Sequence, residues 1–305
     1  MSFPLPPGHS PLPQRSQAMN ERPLTLLAVH AHPDDEAFSM GGTYAKAAVA
    51  GIHTVLVCAT RGEAGEIHDP DLDPQEALER LAIIREGELR QACAILNIAE
   101  LHFLDYRDSG MVDTPENADP RNFHNADPEE ATERVTRLIR QCRPQVVVTY
   151  NERGGYGHPD HIAAHRTTLA AIAAAADPAR FPQQELPAWH VAKLYYTAFP
   201  RSAFRRLAEE MREHGIAPPF GGAERDPADF TVPDEQVTTR VDVGNFVLQK
   251  REALRVHRTQ LGPDNFFLTM PDDIVRQFFG TETFTRVQSR VAAPAMEESL
   301  FAGLG

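Results

Sequence analysis

Two short apolar runs, at 24–30 and 145–150, limit the fold most, because each leads at once into a cluster of histidine and aspartate. The first cluster is Ala31-His32-Pro33-Asp34-Asp35-Glu36 and the second is Gly157-His158-Pro159-Asp160-His161. Apolar runs of this length read as buried strands, and further strands are expected at 54–59 and 101–104. Helical spacing fills the intervals, over 43–50, 74–96, 128–142 and an alanine-rich stretch to 176; proline and acids open the third of these. Strands alternating with helices imply right-handed crossovers and a mainly parallel sheet. The expected class is α/β, a Rossmann-like, mostly parallel sheet with helices on both faces. With strand order 3-2-1-4-5, the strands at 24–30 and 145–150 are neighbours. Ligands in such sheets sit beyond the carboxyl ends of the strands where the winding reverses. The two clusters are therefore expected to meet there.

Beyond residue 190 the pattern loosens into a decorated C-terminal third. A strand at 193–199, a helix at 202–214, a strand at 238–243 and a helix at 245–258 are expected. The segment 215–236, rich in Pro, Gly and acids, reads as a loop or lid, and 262–290 is ambiguous. Residues 1–23, with six prolines and no apolar core of a signal peptide, read as a disordered tail. Residues 291–305 read as a flexible tail, leaving a single domain over 24–290.

A net charge of −13 argues against a nucleic-acid groove. No stretch approaches the about 20 apolar residues that span a membrane. Cys58, Cys93 and Cys142 form no CxxC pair and lie in apolar patterns, which suits reduced, buried thiols in a cytoplasmic protein. Whether copies of the chain associate stays open.

Imidazole and carboxylate together are the usual ligands of a catalytic divalent metal, with three protein ligands and an open position. His32 and Asp35, three apart on a loop entering a helix, can converge on one ion, leaving Asp34 to face a water. The competing reading makes either aspartate a helix cap. In the second cluster His161 is the better third ligand and His158 the better acid-base group, with Asp160 fixing its tautomer or charge. His165, one turn on, reads as a histidine hydrogen-bonded to its surroundings. Tyr156, among Gly154, Gly155 and Gly157, is either an oxyanion donor or a stacked loop residue. Gly41-Gly42 reads as close packing of the helix start against the sheet.

These motifs, with Gly41-Gly42-Thr43 and Gly154-Gly155-Tyr156, resemble the LmbE-like superfamily of zinc-dependent N-deacetylases, which includes the N-acetylglucosaminyl-phosphatidylinositol deacetylases. Thr60-Arg61-Gly62-Glu63, Arg85-Glu86 and Arg107-Asp108-Ser109-Gly110-Met111 are similar to its mycothiol-pathway branch, both the N-acetylglucosaminyl-inositol deacetylases and the S-conjugate amidases. The resemblance covers about 24–170 and fades later to His257-Arg258-Thr259-Gln260. It implies one Zn2+ (Fe2+ or Co2+ being alternatives) on His32, Asp35 and His161. It implies Asp34 as general base and His158, protonated and held by Asp160, as oxyanion stabiliser or acid. It also implies Arg85 and Asp108 on sugar hydroxyls, with Met111 and Tyr156 lining the pocket. His257 and Gln260 read equally as helix-surface residues. The implied substrate is a small N-acetylated amino-sugar glycoside, with no nucleic acid or membrane as partner; deacetylase and S-conjugate amidase both remain open. Two histidines and a carboxylate also describe non-haem iron oxygenases, in which Asp34 has no task. A non-catalytic sugar-binding protein needs neither the base nor the oxyanion group.

Overall fold

The computed structural model describes residues 23–213 and 226–304. The tail expected at the N-terminus, Pro23 apart, and the first half of the 215–236 loop lie outside the described residues. Five parallel strands form the centre: β1 (Thr25–His30), β2 (His53–Cys58), β3 (Glu100–Phe103), β4 (Val146–Thr149) and β5 (Lys193–Ala198). Two antiparallel pairings add β7 (Thr281–Ser289) to β5 and β6 (Thr239–Asp242) to β7. The order β3-β2-β1-β4-β5-β7-β6 contains the expected reversal, with β1 and β4 adjacent.

Alternation along β1 shows why helices cover both faces. Leu26 and Ala28 point to one core, shared with α1 (Asp35–Val49) and α2 (Pro74–Leu96). Leu27 and Val29 point to the other, shared with α3 (Pro128–Cys142) and α5 (Pro159–Ala176). A strand buried on both faces has no polar side to show, hence its unbroken apolar sequence. The helix starts are written locally as well. Asp73 and Asp127 each accept two backbone N–H groups of the following turn, with proline next in line. A single turn, α4 (Gly154–Gly157), precedes α5.

The C-terminal third supplies α6 (Arg201–Glu213), α7 (Val247–Arg255), the short α8 (Phe266–Thr269) and α9 (Asp272–Phe279). It is tied to α1 through Glu282, whose oxygens accept from Gly42 N at 2.9 Å, Thr43 N at 2.7 Å and Lys250 Nζ at 2.7 Å. Gly42 does mark a close approach, but its neighbour is Val243 beyond β6: a Cβ there would sit 2.6 Å from Val243 Cβ. Residues 291–304, expected as a flexible tail, are anchored at Glu297 and Leu300. Glu297 is buried and accepts from Lys193 Nζ at 2.5 Å and the Tyr195 hydroxyl at 2.8 Å, and Leu300 is buried beside them. Lys193 and Tyr195 are themselves buried on β5, and a buried ammonium requires such a partner. Cys58 and Cys93 are buried, Cys142 is half-buried, and all three are unpaired. Among the described residues no helix is long and apolar enough to cross a membrane.

Candidate active site

Both clusters lie at the carboxyl ends of β1 and β4, where the sheet reverses. His32, Asp34 and Asp35 occupy the turn from β1 into α1; His158, Asp160 and His161 occupy the start of α5. His161 Nε2 lies 3.2 Å from His32 Nδ1 and 3.4 Å from Asp35 Oδ1, and His32 Nδ1 lies 3.6 Å from Asp35 Oδ2. Donor atoms bound to one tetrahedral ion at ordinary bond lengths are about 3.4 Å apart. The two imidazole nitrogens and Asp35 Oδ1 beside His161 have the spacing of donors to one cation, with Asp35 Oδ2 the oxygen nearer His32. Two further groups of metal-type donors overlap it, His32 with His158 and His161, and His32 with Asp108 and Asp160.

Each donor is held from behind. His161 Nδ1 lies 3.1 Å from the Gly154 carbonyl oxygen, an approach that requires glycine, since a Cβ at Gly154 would come within 2.8 Å of Ile162 N and its φ is +65°. The Tyr150 hydroxyl accepts from Ala31 N at 2.8 Å and donates to Asp35 Oδ2 at 2.7 Å, while its ring stacks on His161 at 4.1 Å. Tyr150 escaped the sequence reading because it ends an apolar strand run and resembles core.

Asp160 corrects an expectation. Its carboxylate faces His32, with Oδ2 3.3 Å from His32 Nε2 and accepting from Ser109 N at 2.8 Å. His158 is instead met by the Asp160 backbone, whose N–H donates to His158 Nδ1 at 3.2 Å. The first turn of α5 leaves that amide without a helical partner, so the imidazole caps it. Asp160 Oδ1 is buried without a partner.

Charge in the site is mostly negative. Asp34 pairs with Arg85 at 3.3 Å, while Asp35, Asp108 and Asp160 each lie 3.3 to 3.6 Å from a ring nitrogen of His32. Burial would raise the Asp35 carboxyl, but His161 and His32 beside it hold it well below its usual range. Burial pushes Asp34 up to about 7, against the pull of Arg85. Burial, with His32 and His161 nearby, lowers His158 to about 2, so its imidazole is neutral.

A cavity of about 540 Å3 opens over these groups, lined by Asp34, Arg85, Asp108, Met111, Tyr156 and His158, among others. Arg85 is buried; its Nη2 donates to the Pro33 carbonyl at 2.6 Å and lies 3.3 Å from Asp34 Oδ2, and its Nη1 donates to Gly62 O at 2.7 Å. Asp108 accepts from Gly110 N and Ala64 N. Tyr156 stands edge-on to His161 at 5.0 Å. His165 lies 3.0 Å from the Tyr150 carbonyl oxygen. His257, for which the sequence leaves a site role and a helix-surface role both open, is fully buried, with Nε2 2.8 Å from Glu36 Oε1. Gln260 reaches the cavity wall.

A candidate cation pocket at the switch point of a doubly wound sheet, with a spare carboxylate facing the cavity, is a layout that suits a hydrolase. Its kinship narrows the class. Residues 27–172 match the family PIG-L: GlcNAc-PI de-N-acetylase. The chain is 43% identical over 287 residues to the 1D-myo-inositol 2-acetamido-2-deoxy-α-D-glucopyranoside deacetylase of Geodermatophilus obscurus, covering 92% of this chain and 97% of the relative. It is 40% identical over 304 residues to a protein of the same description from Catenulispora acidiphila, covering 97% and 93%. The chain belongs to the PIG-L family of N-deacetylases. In fold alone it is similar to the N,N'-diacetylchitobiose deacetylase of Pyrococcus horikoshii (TM-score 0.59, 20% identity, 86% of this chain and 83% of that one). The 4-carboxy-2-hydroxymuconate hydratase of Pseudomonas putida KT2440 shares it too (TM-score 0.54, 19% identity, 89% and 98%).

Proposed function

We propose that this enzyme removes the acetyl group from a 2-acetamido-2-deoxyglucoside of inositol, the compound its relatives' names specify, using Zn2+ held by His32, Asp35 and His161. The observation that supports the metal assignment is the convergence on His161 Nε2 of His32 Nδ1 at 3.2 Å and Asp35 Oδ1 at 3.4 Å. Two imidazoles and one carboxylate suit Zn2+, with Fe2+ and Co2+ as alternatives. A divalent ion there supplies Lewis acidity, polarising the amide carbonyl and lowering the pKa of water toward neutrality.

The chain's own residues do the rest. Asp34, beside the donors and raised to about 7, takes the proton of the attacking water. Because His158 Nδ1 accepts from the Asp160 amide, the ring's single proton sits on Nε2. His158 therefore donates to the carbonyl oxygen as a neutral imidazole while negative charge builds there. This replaces the protonated His158 expected from the resemblance. Asp34 then hands its proton to the departing amine, giving acetate and the free amino sugar. Asp160 acts by orienting His32. Arg85, Asp108, Met111 and Tyr156 form the walls of a cavity whose volume suits a small glycoside. Three unpaired cysteines agree with work in the cytoplasm.

Acetate release from the inositol glycoside, measured after chelation and after return of Zn2+, Fe2+ or Co2+, tests this reading. Chelation should abolish release, the returned metal should restore it, and H161A should stay inactive with every metal. Turnover that survives both chelation and H161A sinks it. A bulky thiol-conjugated substrate assayed in parallel separates deacetylase from amidase.

A further inference from the structure

We infer that Glu36 and His257 are positioning residues that hold the Pro33–Asp34 peptide, and through it the Asp34 carboxylate, in its working orientation. The inference rests on Asp34 being the general base.

Asp34 has φ +110° and ψ −29°, a region that side-chain-bearing residues rarely occupy and that persists only when neighbours enforce it. The enforcement acts on one peptide plane from both ends. The Pro33 carbonyl accepts from Arg85 Nη2 at 2.6 Å, and the Asp34 N–H on the same plane donates to Glu36 Oε2 at 2.9 Å. A peptide gripped at its oxygen and at its nitrogen cannot rotate, so the side chain that follows is aimed.

Glu36 is buried, and its second oxygen lies 2.8 Å from His257 Nε2, also buried. A buried carboxylate needs a polar partner, and His257 supplies one and fixes its rotamer. His257 is anchored in turn. Its carbonyl accepts from Gln260 N at 3.0 Å and Leu261 N at 2.9 Å, while Thr259 donates through N and Oγ1 to Glu88 on α2 at 2.8 and 2.6 Å. The segment after α7 thus binds α1 through Glu36 and α2 through Glu88. The C-terminal third reaches the base by this route without touching the reacting atoms.

The test compares E36A, E36Q, D34N and D34N/E36A by acetate release, Zn2+ binding calorimetry and thermal midpoint. Misplacing a catalytic group by about 1 Å costs about 10²-fold, so E36A should lose kcat on that scale with KM and Zn2+ affinity little changed. E36Q, which keeps an oxygen for the Asp34 N–H, should recover most of the loss. In the D34N background E36A should cost nothing further, because a residue acting through Asp34 has nothing left to act on. A second variant, E36L/H257F, replaces the buried pair by apolar groups of similar volume, which proteins commonly tolerate in stability. It should fold and bind Zn2+ yet show the same kcat deficit, a result a purely structural pair would not produce. Wild-type kcat in folded E36L/H257F, or an equal E36A penalty with and without Asp34, overturns the inference while leaving Asp34 as base. Near wild-type turnover in D34N itself removes the base assignment, and the inference falls with it.

Discussion

Asp160 Oδ2 stands 3.3 Å from Nε2 of His32, a residue 128 positions earlier in the chain. That contact keeps the proton of a neutral His32 on Nε2 and leaves Nδ1, the atom facing Asp35 and His161, free to bind a cation. Partners of this kind typically govern metal affinity by about 10- to 100-fold. D160A should weaken Zn2+ binding by that factor in calorimetry, with His161 and Asp35 untouched. Unchanged affinity would show that the carboxylate does not orient the ring.

Tyr150 carries two obligations at once, as acceptor for Ala31 N and donor to Asp35. Y150F removes both and leaves a buried N–H without a partner, which costs about 1–3 kcal/mol. Urea unfolding of the metal-free protein should show that loss; an unmoved midpoint would mean the hydroxyl is dispensable.

Glu297 links stability to acid. Burial raises its carboxyl, but hydrogen bonds from Lys193, Tyr195 and Thr239 outweigh burial and hold it below its usual 4.5. A carboxylate lowered in the folded state contributes stability fully above its unfolded value, and loses it as pH falls from about 4.5 through the folded value. Melting between pH 7 and pH 3 should show this decline in the wild type and a flatter profile in E297Q. At pH 7, E297Q should also be less stable by about 3 kcal/mol, since it leaves the buried Lys193 ammonium with the Ala302 carbonyl but no opposite charge. Parallel pH profiles in the two proteins would exclude Glu297 as a source of the acid sensitivity.

Gly42 tests the seam between α1 and the C-terminal third. A Cβ there would meet all three Val243 side-chain carbons at 2.6 to 3.0 Å. Overpacking on this scale costs about 1–3 kcal/mol. G42A should lower the thermal midpoint although alanine favours helix; a rise would show that the seam gives way easily.

Much of the site was readable because its residue types are clustered in sequence. Histidine and aspartate after two apolar runs mark strand ends, and the common order of such sheets, which the structure has, places those ends side by side. Long-range partners carry no such mark. His257 resembles any polar residue near a helix end, and only its meeting with Glu36, 221 positions away, shows it to be buried. Residues 291–304 lack periodicity and read as tail, yet Glu297 answers a lysine on β5.

By itself, then, the chain's order of residues determined the α/β class, the alternation of strands and helices in its first two-thirds, the helix starts near Pro74 and Pro128, and the two donor clusters. All of these follow from spacing and capping within a few residues. Tertiary structure alone decided which atom each donor faces: Asp160 carboxylate to His32, its amide to His158, Glu36 to Asp34 and His257. Those choices depend on the angle at which α5 leaves β4 and on how the C-terminal third packs against α1. Such angles are set by the summed packing of the two cores, and no local run of residues encodes them.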